Sequence, residues 1–138
     1  MPLLYHKDWY ISLIIALFLV LSVLVLQRYF SKLKPLRSPS VIAFLIVFGY
    51  LTYDNFGWFR DSSCWICLGA PLMIPGLVIA SAIAFVFGKG AWQVIHCTEW
   101  EVVMYISSFV FYTLLIFGLT KLVSYIKRRL STPKTTAA

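Results

Sequence analysis

YISLIIALFLVLSVLVLQ, from Tyr10 to Gln27, decides the class of this chain. A helix crosses a bilayer with about 20 mostly apolar residues, because each adds about 1.5 Å against a hydrocarbon core of about 30 Å. Only Ser12 and Ser22 interrupt the stretch before Gln27. Three further apolar stretches follow, at 41–59, 68–88 and 102–123, the second fading through Thr52, Asp54 and Asn55. Together they predict an all-α integral membrane protein. Its fold is a compact bundle of four hydrophobic helical segments within one domain, residues 1–130, followed by a flexible polar tail, 131–138.

Composition agrees. Of 138 residues, 61% are hydrophobic and 12% charged, with a mean hydropathy of +0.86. A soluble domain carries about a quarter charged residues, so soluble globular, disordered and disulfide-framework classes are excluded. The first stretch does not read as a cleaved secretory signal. Only Lys7 precedes it as a basic residue, and no Ala-x-Ala site closes it.

The charges conflict with four crossings. Arg28, Lys32, Lys34 and Arg37 follow the first stretch, and Lys121, Lys127, Arg128, Arg129 and Lys134 follow the last. The positive-inside rule wants both groups in the cytoplasm, whereas four crossings place them on opposite sides. With an outward N-terminus the cytoplasm receives five of the twelve basic residues, and with an inward one it receives seven. If one of the last three segments enters and leaves on the same side, the split becomes nine to three. The third segment is the candidate, because Ile74-Pro75-Gly76 is a natural reversal point. Membrane helices also tolerate proline kinks, so the third segment is expected to be Pro-kinked, with re-entry as the rival. The kinked reading, with the N-terminus outward, expects Gly88 to Trp100 on the cytoplasmic side, with loop one.

The cores of the apolar stretches contain no charged residue and no histidine, Asp54 lying near the end of the second and Lys121 near the end of the fourth, which argues against an ion-coupled carrier. Glu99 and Glu101 stand at the start of the fourth. Ser107, Ser108 and Thr113 are read as helix-packing residues. Gly49, Gly118 and Ala80 to Ala84 are read as small residues permitting close approach. No catalytic motif is present: no phosphate loop, no His-Glu-x-x-His, no Gly-x-Ser-x-Gly. Trp9, Trp58, Trp65, Trp92 and Trp100 all flank apolar stretches, as interfacial anchors do. No soluble basic domain is available for nucleic acid, so the +7 net charge is read as juxtamembrane contact with anionic lipid.

One cluster bears chemistry. Cys64-Trp65-Ile66-Cys67 precedes the third segment and His96-Cys97 follows it. Two thiols at this spacing serve either as a redox dithiol or as a zinc or copper chelate, and cysteine is also a small buried hydrophobe. The pair resembles that of the quinone-linked disulfide generators, which are also four-helix membrane proteins. Those need a second cysteine pair, and this chain has only Cys97; where their Gln-Arg follows, Leu68-Gly69 stands. Cys67-Leu68-Gly69-Ala70-Pro71 is similar to small mercury carriers, whose cysteines are adjacent. Neither likeness extends beyond these residues.

The expectation is therefore a non-enzymatic, multi-pass inner-membrane protein of bacterial type, without cofactor. It would work by contact with another membrane protein or an incoming toxin or particle, in an immunity, exclusion or accessory-subunit role. Asp54, Trp58, Asp61 and Trp65 are the partner-facing candidates. The alternative is a membrane thiol protein, either oxidoreductase or soft-metal carrier, using Cys64, Cys67, Cys97 and His96.

Overall fold

The structure, a computed structural model, describes residues 9–50, 69–90 and 97–132. Among these residues every regular element is helical. Helix α1 spans Trp9–Tyr29. A 3-10 turn at Ser31–Leu36 leads into α2, Arg37–Phe44, which continues as a π-helical turn at Leu45–Tyr50. Helix α3 spans Gly69–Val86 and α4 spans Thr98–Ser131.

Local chemistry explains the boundaries. Arg28 lies in the last turn of α1, where a cation meets the negative end of the helix dipole. Phe30 is extended (φ −93°, ψ 111°), and its carbonyl accepts from the Leu33 amide at 3.1 Å, turning the chain into the 3-10 segment. Helix α2 then begins at Arg37 rather than at the expected Val41. Pro39 falls in its first turn, where the missing N–H would have had no intrahelical partner. Helix α3 ends in a Schellman motif. The Lys89 amide donates to the Ala84 carbonyl (2.8 Å) and the Gly88 amide to the Phe85 carbonyl (3.0 Å). Gly88 takes φ +72°, a conformation that costs a residue with a Cβ. Glu99 and Glu101 occupy the first turn of α4 and Arg128 and Arg129 the last, so both ends match the dipole.

The helix expected in the third segment forms, unbroken through Pro75, and the rival reversal at Ile74–Gly76 does not. The bounds of one further segment change. The fourth segment, expected at 102–123, extends to Thr98 and Ser131, a helix of 34 residues and about 50 Å. The end of the second segment, 51–59, and the tail beyond Thr132 lie outside the described residues.

Helix α4 is the hub, with α1, α2 and α3 all packed on it. The core joins Leu13, Ala16 and Val20 of α1, Val47 and Phe48 of the π-helical turn that continues α2, and Ala80 and Ala84 of α3 with Met104, Tyr105 and Phe109 of α4. The directions of the helices follow from their contacts. The Phe48 and Tyr105 rings lie 6.3 Å apart, whereas Pro39 and Ile42 face Ile116 and Thr120. Helix α2 is therefore antiparallel to α4. The Tyr112 hydroxyl donates to the Leu72 carbonyl (2.8 Å), Gly76 abuts Met104 and Ser108, and the Phe87 and Trp100 rings are 6.4 Å apart. Helix α3 is antiparallel to α4 as well, so α2 and α3 run the same way. Helices α1 and α2 form a hairpin pinned by Gln27 Nε2 donating to Ser40 Oγ (3.0 Å), so α1 runs with α4.

This arrangement corrects the expectation that pairs Gly88–Trp100 with loop one. Loop one, Arg28–Arg37, sits at the Lys121 end of α4, whereas Gly88 and Cys97 sit at the Glu99 end.

Candidate functional site

Three regions outside the plain apolar core carry chemistry. The first is a polar seam on α4. Glu101, Tyr105 and Ser108, four and three residues apart, share one face of the helix. All three are buried, with exposures of 0%, 1% and 0%. The seam continues to Tyr112, whose hydroxyl holds the Leu72 carbonyl. Among the described residues neither the Tyr105 hydroxyl nor Ser108 Oγ has a hydrogen-bond partner. Ser12 of α1 is equally buried. Thr113 Oγ1 returns its hydrogen bond to the Phe109 carbonyl (2.8 Å), four residues back, and so adds no bond between helices.

Gly76 crosses this seam. A Cβ there would collide with Ser108 Oγ and the Met104 carbonyl oxygen, so only glycine lets α3 approach α4 so closely. The expectation that Ser108 serves packing fits this contact. Gly49 and Gly118 show no such approach: among the described residues nothing lies within 4 Å of where a Cβ would stand at either. Ala80 and Ala84 are fully buried, as expected of small residues at a helix contact. Glu101 is the residue that sequence reasoning missed. It stands at the edge of an apolar stretch and reads as interfacial, yet its side chain is wholly inside. The i, i+4, i+7 spacing of Glu101, Tyr105 and Ser108 was the available signal.

The second region is the basic end. Arg28, Lys32, Lys34 and Arg37 gather there with Lys121, Lys127, Arg128 and Arg129 of α4. The described acidic residues, Glu99 and Glu101, are in the first turn of α4 at the opposite end. No charged residue stands between Glu101 and Lys121, a rise of about 30 Å. Beyond Gly118 the whole of α4 is exposed, including Leu122, Val123, Ile126 and Leu130.

The third region is the cysteine cluster. Cys97 is described: exposed, preceding α4, with its carbonyl accepting from the Trp100 and Glu101 amides (both 3.1 Å). Cys64, Cys67 and His96 lie outside the described residues, as do Asp54, Trp58, Asp61 and Trp65. The structure therefore neither joins nor separates the proposed thiol and partner-facing sets.

Large apolar side chains cover the outside of the bundle, among them Phe18 (70% exposed) and Phe85 (81%). Ile11–Tyr29 and Glu99–Ser131 are long and apolar enough to cross a membrane, and Ile74–Val86 is a shorter apolar helix. The chain matches no known family model, and no curated protein or solved structure matches it significantly.

Proposed function

We propose that the chain is a multi-pass protein of a plasma membrane, of the bacterial inner-membrane kind, that acts by contact with another membrane protein or an incoming toxin or particle. The observation that carries this reading is the antiparallel packing of α2 on α4, which gathers eight basic side chains at one end of the bundle. A bundle with its cations at one end and bare apolar faces along its length suits a bilayer with an anionic cytoplasmic leaflet. Four alternating crossings would have split those cations between the two sides. The start of α1, Gly88 and Cys97 then face outward, and loop one and the end of α4 face the cytoplasm. The exposed faces of α1 and α3 around Phe18 and Phe85 are the surfaces for a partner within the membrane.

Reporter fusions test the orientation. An enzyme active only outside the cytoplasm is expected to work when fused after Lys89 and to fail after Ser131; the reverse pattern overturns the assignment. Photo-crosslinkers at Phe18 and Phe85 test the contact role. Discrete protein adducts in intact membranes are expected, and adducts with lipid alone at both positions refute it.

A further inference from the structure

At the basic end the start of α2 and the second half of α4 leave a cleft of about 250 Å³. That is the share of roughly eight water molecules in the liquid, enough for a headgroup but not for a whole lipid. Its walls are apolar: Pro39 and Ile42 on one side, Ile116 and Phe117 on the other. Ser38, Lys121 and Ser124 line it toward the basic end of α4. The Lys121 ammonium rests 5.5 Å from the centre of the Phe117 ring, so the charge is held at the cleft. Lys32, Lys34 and Arg37 follow closely in the adjoining turn. No described acidic side chain lies at this end, because Glu99 and Glu101 are a bilayer's depth away along α4.

We infer that this cleft seats the phosphate headgroup of an anionic phospholipid. Lys121 supplies the counter-charge, the neighbouring hydroxyls serve the phosphate oxygens, and Ile42, Ile116 and Phe117 receive the start of an acyl chain. Charge complementarity favours this occupant over a neutral lipid. The apolar walls, running from the basic end toward the bundle, favour it over a free anion. Basic clefts between membrane helices on the cytoplasmic side suit such headgroups. The inference rests on the membrane reading above and gives the basic end a ligand.

The test uses the full chain purified in an uncharged detergent, with bound lipid counted by native mass spectrometry and thermal unfolding followed in parallel. Phosphatidylglycerol is expected to be retained and to raise the unfolding midpoint, while phosphatidylcholine and inorganic phosphate do neither. Lys121→Gln is expected to weaken retention about fivefold, the equivalent of ~1 kcal/mol for one basic residue near a lipid surface. Ile42→Trp, which fills the cleft without altering charge, also lowers retention. Lys89→Gln, at the opposite end, leaves it unchanged. Equal retention of phosphatidylcholine, competition by inorganic phosphate, or wild-type retention by both Lys121→Gln and Ile42→Trp overturns the lipid site. Alkaline carbonate extraction separates the two readings. Protein that stays in the membrane but does not discriminate lipids refutes only the cleft, and protein that leaves the membrane refutes both.

Discussion

Replacing Gly76 with alanine puts a methyl group into space that Ser108 Oγ and the Met104 carbonyl already occupy. The serine side chain can rotate, but the carbonyl belongs to the backbone of the hub helix and cannot yield. Ser108 and Met104 are both buried, 0% and 1% exposed, so neither can swing out into solvent to make room. Overpacking of this kind costs about 1–3 kcal/mol, and a backbone collision belongs at the upper end. Alanine recovers about 1 kcal/mol of helix propensity over glycine. The net expectation is a loss of about 2 kcal/mol, which for a domain of this size lowers the unfolding midpoint by about 8 °C. Gly118→Ala is the matched control: it gains the same propensity and meets nothing within 4 Å, so its midpoint is expected to hold or rise. Far-ultraviolet circular dichroism during heating in mild detergent reads both variants. A double change, Gly76→Ala with Ser108→Gly, is expected to recover only part of the loss, because the carbonyl collision remains. If Gly76→Ala unfolds at the wild-type midpoint, or both glycine variants shift the same way, the close crossing of α3 and α4 is refuted.

Tyr112→Phe removes the hydroxyl that holds the Leu72 carbonyl and is expected to cost about 1 kcal/mol in the same thermal assay. Ser40→Ala leaves the buried Gln27 amide without its acceptor, and about 1–3 kcal/mol of destabilisation is expected. Ser22→Ala provides the contrast, since that hydroxyl only bonds back to the Phe18 carbonyl on its own helix; its midpoint is expected to stay within about 0.5 kcal/mol of wild type. Cys64→Ser with Cys67→Ser is expected to insert and unfold as the parent does, with neither zinc nor copper in the parent by elemental analysis. Bound metal, or loss of function in a double variant that still inserts normally, would favour the thiol reading.

The sequence made α1 and α3 legible to within about two residues at each end, because charges or glycines bound their apolar runs. The far end of α4 was not legible from hydropathy. Its last turns are built from Lys, Arg and Leu, which are good helix formers whether or not they are apolar. The contact role of Gly76 was not legible, because Pro75-Gly76 reads locally as a turn signal and only packing against α4 reveals a contact glycine. Burial of Glu101 was signalled only by its i, i+4, i+7 spacing with Tyr105 and Ser108, which a reading by hydropathy alone passes over. Charge bias carried more than helix counting did: it grouped loop one with the basic end of the fourth segment, and the structure has Arg28–Arg37 and Lys121–Arg129 at one end. What it could not reveal was that an unbroken α3 is compatible with that grouping, since this depends on the relative directions of α2 and α3.

The position of the hub in the chain sets a timetable for assembly. Helix α4 begins at Thr98, after the three helices that pack on it have been made. Between synthesis of Tyr29 and of Ser131 a ribosome adding 5–20 residues each second takes roughly 5 to 20 s. Through that interval α1 has no hub to cover its Ser12, Ala16 and Val20 face, and its local anchor is the Gln27–Ser40 bond. Something else must shield that face, whether lipid, the insertion machinery or another chain. Synthesis halted before α4 therefore leaves three helices without a common partner.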